Sequence, residues 1–286
     1  MINLFLKYKT RNINHRLDIS LSEIENSKRV LFSLFTRYGD TVISLIEIRS
    51  FIKKYPKKDY LILCPKQMQP YVEEILPSIK SLSFNKRNPW SMFDVVRFLK
   101  KWKPDIGFNP WSNGLDSCYF LTFSKNFKCY RHFQRPKAIN HYEVVRSYLN
   151  LPILDWQVNK LELKDNYYNI LICPHSTDPD RELKEYQFKQ ILSKLKLKYP
   201  HAKITIASMS SSHFQNGYQH FKFEKQIDSS RNFLKLIKGC DLVISSDSGP
   251  LHIASALNKD LIAYFSSTLP EIVLRSGVTL KIERNG

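Results

Sequence analysis

Long apolar runs are missing from this chain. No stretch approaches the roughly 20 residues that a membrane-spanning helix needs. The apolar start 1-MINLFLKYK is broken by charge too early for a signal peptide. Patterned cysteine is missing as well. Cys64, Cys118, Cys129, Cys173 and Cys240 include no pair at metal or redox spacing, and three of the five follow or adjoin strand-like apolar runs, as small buried hydrophobes do. An odd, unpatterned set fits a reducing compartment, so the expectation is a cytoplasmic protein. Acidic residues are scarce: 26 Asp and Glu against 44 Lys and Arg, a formal net charge of +18. Such a surplus seeks anionic partners, namely nucleic acid, phosphorylated small molecules or an acidic membrane surface. The cations are spread along the chain rather than gathered in a tail, which weighs against a disordered nucleic-acid arm.

What is present is an α/β rhythm. A chain of 286 residues, 43% hydrophobic, suits one large or two medium domains. Apolar 29-RVLFSLF-35 reads as a buried strand, 41-TVISLIEIRSFIKKYP-56 as a helix stopped by proline, 60-YLILC-64 as a strand, and 66-KQMQPYVEEIL-76 as a helix. Short strand 80-KSLSF-84, helix 91-SMFDVVRFLKKWKP-104 and strand 105-DIGFNP-110 follow. The pattern blurs over 111–166, apart from a helix at 141–149. It restarts with strand 168-YNILIC-173, polar loop 174-PHSTDPDREL-183, helix 185-EYQFKQILSKLKLKYP-200 and strand 203-KITIAS-208. After a further loop come helix 229-SSRNFLKLIKGC-240, strand 241-DLVIS-245, helix 250-PLHIASALN-258 and strand 260-DLIAYF-265. Two successive α/β blocks predict parallel sheets covered by helices, divided as 1–160 and 161–286. Ligands of such folds sit at the carboxyl ends of the strands.

The stretch 245-SSDSGPLHIASAL-257 concentrates polar chemistry at a strand end. Pro250 suits the first turn of a helix, where its missing N–H goes unnoticed. Gly249 lets a ligand approach the backbone, and the remaining free N–H groups with the helix dipole form an anion site. Ser248 can donate to a phosphate oxygen, with Asp247 and His252 flanking the spot. An ordinary strand-to-helix turn, capped by Ser or Asp, accounts for the same residues equally well. The triplet 178-DPD matches a metal-binding spacing, yet Pro179 at its centre favours a turn. The segment 126-NFKCYRHFQRPK-137 fits three readings: a phosphorylated-acceptor contact, a single-strand nucleic-acid surface, or a core strand with exposed alternates. The N-terminal 1-MINLFLKYKTRNINHR-16 has an apolar start and basic follow-up that could lie on an anionic membrane, although an edge-packed or disordered terminus fits better.

Strand, Asp-Ser-Gly, His, Ala-containing helix and strand in 243-VISSDSGPLHIASALNKDLIAYFSST-268 resemble glycosyltransferase family 9, which includes the ADP-heptose:lipopolysaccharide heptosyltransferases. The Gly-Asp pair of 31-LFSLFTRYGDTVIS-44 and the loop of 169-NILICPHSTDPDRELKEYQF-188 agree in order and spacing. The resemblance implies a GT-B architecture, two Rossmann-like domains facing across a cleft. It implies an inverting, metal-independent transfer, without cofactor, from a nucleotide-diphospho-sugar to a lipopolysaccharide, lipooligosaccharide or related glycan, with heptose the family's best-known cargo. On it, Asp40 takes the position of the base, where a helix cap is the competing reading. Arg181 stands at a phosphate-side lysine of the family, with Lys184 as competitor. Ser176 and Thr177 face the pyrophosphate. Asp247 contacts the sugar, Ser248 and Gly249 hold phosphate, and His252 flanks them. Implied partners are the donor, an anionic glycolipid acceptor and the cytosolic face of the inner membrane. Only 15 residues follow Glu271, so the second domain is expected to be shortened at its C-terminus. A basic nucleic-acid-binding α/β protein and a catalytically inactive transferase homologue are the alternatives.

Overall fold

The computed structural model describes residues 6, 10, 18–84, 88–134, 140–208, 219–222 and 227–284. Apart from Leu6 and Thr10, the N-terminal segment read as membrane-lying is outside the described residues, as are 135–137 of the aromatic and basic segment. The chain falls into two compact units, Met1–Ile153 and Leu154–Gly286.

The first unit opens with helix α1 (Leu21–Asn26), whose Ser20 and Glu23 exchange side-chain and backbone bonds in a capping box. Strand β1 (Arg29–Ser33), helix α2 (Tyr38–Lys54), strand β2 (Asp59–Pro65), helix α3 (Gln69–Ile75) and strand β3 (Lys80–Phe84) follow. Helix α4 (Pro89–Trp102), strand β4 (Ile106–Phe108), helix α5 (Leu115–Leu121), strand β5 (Asn126–Lys128) and helix α6 (His141–Tyr148) complete it. Its five strands are all parallel, in the order β3-β2-β1-β4-β5. The central strands are continuous apolar runs because both faces are covered by helices. Phe32 of β1 stacks on Tyr60 and Phe108 of the flanking strands and meets Phe51 of α2 edge-on.

The second unit runs β6 (Val158–Lys160), β7 (Asn169–Cys173), helix α7 (Glu185–Lys198), β8 (Lys203–Ser208) and β9 (Gln219–Lys222). It continues with helix α8 (Ile227–Gly239), β10 (Leu242–Ser246), helix α9 (Gly249–Ala256), β11 (Asp260–Phe265), helix α10 (Pro270–Val273) and β12 (Val278–Arg284). Its sheet is parallel throughout, ordered β6-β12-β11-β10-β7-β8-β9. Because β6 pairs with β12, residues 158–160 belong with this sheet, on the far side of the division read at 160.

Both sheets reverse their winding direction once, between β1 and β4 in the first unit and between β7 and β10 in the second. The units repeat one further device. Asp105, just before β4, accepts the N–H groups of Lys28 and Arg29 on one carboxylate oxygen at 2.9 and 3.0 Å. Asp241, just before β10, accepts those of Tyr168 and Asn169 at 3.0 and 2.8 Å. Each aspartate thereby fixes the start of the central strand.

The blurred stretch contains α5, β5 and β6, and the segment read as a shortened end contains β12. The aromatic and basic segment is, over its described residues, mostly packed inward. Tyr130 stacks on Trp111 and meets Tyr148, Phe133 lies edge-on to Tyr148, and buried Lys128 reaches Asp18 at 3.0 Å. This corrects the exposed-surface readings for that part of the chain. The cysteine reading is corrected too: Cys118 and Cys129 are joined as a disulfide, while Cys64, Cys173 and Cys240 are buried free thiols. Burial pushes the thiols of Cys64 and Cys240 up to about 12 and about 11, out of reach of thiolate chemistry at neutral pH.

Candidate active site

In the second unit the loops at the reversal point are those after β7 and β10, where open α/β sheets bind ligands. Ser176, Arg181, Asp247, Ser248, Gly249 and His252 of the sequence-selected residues lie there. Ser176 Oγ donates to the backbone carbonyl of Asp247 at 3.0 Å, and Ser246 Oγ donates to that of His175 at 3.1 Å, so the two loops are stitched together. Arg181 points across the same gap, with Nη1 3.4 Å from Oδ2 of buried Asp247 and Nε 3.3 Å from Asp178 Oδ2. A guanidinium held between two carboxylates is aimed and immobilised, which suits bidentate capture of phosphate. Lys184, the competitor, turns instead to the carbonyl of Pro179 at 3.2 Å and opens α7.

Ser248 is the N-cap residue of α9, with Gly249 and Pro250 as its first helical residues. Its side chain makes no capping bond to the helix. The hydroxyl lies 3.3 Å from the carbonyl of Ser246 and 3.4 Å from Ser245 Oγ. The capping account of Ser248 therefore fails on its side chain, although its place in the chain is the expected one. His252 stands in the first turn of α9, 6% exposed. Burial, with Arg181 adding its positive charge, depresses the imidazole to about 4, so it is neutral at pH 7 and retains one donor and one acceptor.

Asp178 and Asp180 form a turn. Asp178 Oδ1 accepts the N–H of Asp180 at 3.2 Å and the carbonyl of Asp180 accepts from Ser266 Oγ beyond β11. Among the described residues no group of three or more His, Cys, Asp and Glu side chains converges as a metal site. Thr177 is exposed, outside these loop-stitching bonds. Sequence reasoning missed Glu182, whose carboxylate accepts the N–H of Ser176 at 3.2 Å and faces His175 Nδ1 at 3.3 Å. It missed Ser246 as well. Neither carries a periodic or motif signal, since each acts through a backbone group of the opposite or same loop.

In the first unit Asp40 lies in the opening turn of α2, seven residues beyond the end of β1 rather than at the strand end itself. Arg37 occupies the N-cap position, so Asp40 is not the cap. Its Oδ2 accepts from Thr36 Oγ1 at 3.2 Å, and its backbone carbonyl from Ser44 Oγ at 2.8 Å. The loops after β1 and β4 close around this corner, with Ser112 Oγ donating to the Phe35 carbonyl at 3.2 Å. Asp40 thus stands beside the reversal point of its own sheet.

With this geometry in view, residues 231–277 match the model of glycosyltransferase family 9 (heptosyltransferase), a span that includes Asp247, Ser248, Gly249 and His252. Over that span the chain is similar to glycosyltransferase family 9. Solved structures with the GT-B type fold match 90% of this chain. E. coli heptosyltransferase WaaC with ADP matches at a TM-score of 0.66 and 12% identity, over 90% of this chain and 93% of that one. E. coli ADP-heptose lps heptosyltransferase II matches at 0.66 and 15%, over 90% of each. The glycosyl transferase family 9 from Veillonella parvula DSM 2008 matches at 0.63 and 14%, over 90% and 86%. At these identities the likeness is one of fold. A curated relative of another kind, the large ribosomal subunit protein uL4 of Pelagibacter ubique (strain HTCC1062), is 28% identical over 98 residues. That match spans 33% of this chain and about half, 47%, of the ribosomal protein.

Proposed function

We propose that the chain is an inverting, metal-independent glycosyltransferase that moves a sugar, heptose in the leading case, from a nucleotide-diphosphate donor to an anionic glycolipid of the lipopolysaccharide or lipooligosaccharide type. The observation that carries this reading is the β7–β10 corner, where Arg181 reaches Asp247 beside Ser248 and the start of α9, the last three lying inside the segment matched by the family model. In this scheme Asp40 accepts the proton of the acceptor hydroxyl as its oxygen bonds to the anomeric carbon. The bond from that carbon to the diphosphate breaks on the opposite face. Arg181, Ser248 and the backbone N–H of Gly249 take up the charge that develops on the leaving diphosphate. Neutral His252 adds a hydrogen bond without a competing charge, Asp247 orients the sugar, and Ser176 and Thr177 line the pyrophosphate side. No helix among the described residues is long and apolar enough to cross a membrane, so contact with the cytosolic face of the inner membrane would be peripheral.

A panel of ADP-, UDP- and GDP-sugars in thermal-shift titrations, followed by transfer to truncated lipooligosaccharide, tests the reading. Saturable stabilisation by one nucleotide class and transfer that survives a chelator are expected. Asp40→Asn should keep the nucleotide response and lose most turnover. Gly249→Val should lose nucleotide affinity, because a branched side chain enters the phosphate approach. The basic nucleic-acid-binding alternative, to which the uL4 match points, predicts instead stabilisation by oligonucleotides and none by nucleotide sugars. Nucleotide binding without turnover in the unaltered protein would favour the inactive homologue.

A further inference from the structure

Helix α4 carries a row of residues that the fold itself does not use. Its inner face buries Val95 and Leu99 in the core of the first unit. The opposite face presents Trp90, Phe93, Arg97, Lys100 and Lys101, all exposed and brought onto one side of the helix by their spacing. Trp90 is 74% and Phe93 65% exposed, with ring centroids 5.8 Å apart, so two large aromatics form a joint apolar patch in water. Such a paired exposure on a folded domain marks a contact surface. Asp94 is the only acid in this row, against three cations.

The order along the helix matters. The aromatics occupy its first turn and the cations its last two. Because α4 follows β3 in a parallel sheet, its start lies at the carboxyl edge, the edge at which Asp40 opens α2. We propose that the outer face of α4 is the surface by which the first unit rests on an anionic lipid bilayer, with Trp90 and Phe93 at the headgroup level and Arg97, Lys100 and Lys101 against acidic headgroups. The charge ratio of the row selects that occupant, since tryptophan beside cations on an amphipathic helix matches the polar and apolar layers of a bilayer interface. A surface so placed delivers a lipid-linked acceptor to the Asp40 edge. The inference names the contact of the membrane-surface reading above and rests on it, while vesicle binding can be measured without any donor.

The full chain is sedimented with vesicles of phosphatidylglycerol and phosphatidylcholine, and with phosphatidylcholine alone. Binding to the first and little to the second is expected, with a blue shift of tryptophan emission. Each cation at an anionic surface is worth about fivefold, so Arg97→Gln, Lys100→Gln and Lys101→Gln together should weaken partitioning about a hundredfold. Trp90→Ser with Phe93→Ser should remove the blue shift and weaken binding about tenfold. Both variants should keep the thermal response to ADP, which separates failure of this surface from failure of the transferase reading. The same charge loss elsewhere, Lys189→Gln, Lys194→Gln and Lys198→Gln on α7, should cost far less. Equal loss from the α7 variant, unchanged partitioning of both α4 variants, or no binding by the unaltered chain overturns the proposal. So does capture of a single-stranded oligonucleotide that the α4 substitutions abolish while vesicles stay unbound.

Discussion

Arg181 is one of 44 basic residues, and what sets it apart is its setting rather than its charge. Two carboxylates, Asp178 and Asp247, hold it at 3.3 and 3.4 Å in the loop that meets α9. Under the proposed function, Arg181→Ala raises the donor KM about tenfold or more, whereas Arg181→Lys keeps the charge, loses the fork and falls between the two in steady-state kinetics. An Arg181→Ala enzyme with unaltered donor KM would remove the residue from the site. His252 makes a second prediction, on pH. Its folded pKa of about 4 lies below the ordinary 6.5, so the unfolded chain binds the extra proton first as pH falls. The stability gained from a neutral His252 is present in full above pH 6.5 and is lost as pH falls toward 4, amounting to about 3 kcal/mol. His252→Asn should flatten that part of the stability curve relative to the unaltered protein, measured by denaturant titration at pH 4 and pH 7. Parallel curves would show that the imidazole takes up its proton in the fold as readily as in the unfolded chain.

At the scale of elements, β4 and α5 approach so closely that Gly107 has no room for a side chain. An added Cβ would stand 2.6 Å from Ser124 Oγ and 2.9 Å from Leu121 Cδ2. Gly107→Ala should cost about 1–3 kcal/mol in urea unfolding, and Ser124→Ala in the same chain should restore part of it by removing the nearest atom. Helices α2 and α6 are joined by a buried pair, Arg146 Nη1 to Glu47 Oε2 at 2.6 Å, and Arg146 Nε also donates to the carbonyl of Pro152 at 2.7 Å. Arg146→Met strands the Glu47 carboxylate and should destabilise by about 3–5 kcal/mol, with Glu47→Met in addition recovering much of the loss. These contacts also show what was legible beforehand. Strands 80–84, 203–208 and 260–265 were read to the residue, because 261–265 is an apolar run and the other two alternate polar with apolar residues. Strand β4 was read within 105–110, whereas β5 and β6, also three residues long, were not, since nothing so short carries a period. Strand β12 alternates its buried Val278 and Leu280 with Thr279, Lys281 and Glu283, a weak signal near a chain end. The polar cluster of 245–257 was legible as one feature because a single strand end and helix start carry it. Arg181's hold on Asp247 was not, since 66 residues separate the two.

At the scale of the whole chain, the two units solve the same problem twice. Asp105 and Asp241 each precede a strand next to the reversal point, and each gathers two N–H groups at the start of β1 or β7. The neighbouring backbone bonds repeat as well: Asp59 N donates to the Lys28 carbonyl at 2.8 Å, and Lys203 N to the Tyr168 carbonyl at 2.7 Å. Burial pushes the Asp105 carboxyl up, but bonds from Lys125, Lys28 and Arg29 outweigh it and hold the group below the ordinary carboxylate range. Removing either aspartate leaves two N–H groups without their acceptor and should cost about 2 kcal/mol. Where that loss appears is the sharper matter. In native-state hydrogen exchange, Asp105→Ala should lower protection across β1 and β4, and Asp241→Ala across β7 and β10, because each sheet has its own core. A nucleotide that binds the β7–β10 corner adds stability by mass action, about 2.7 kcal/mol at a hundred times its Kd. Saturating ADP should therefore restore protection to β7 and β10 in Asp241→Ala and leave β1 and β4 unprotected in Asp105→Ala. If ADP restored both variants alike, the donor site could not belong to the second unit alone, and the assignment of Arg181, Ser248 and Gly249 to it would have to be redrawn.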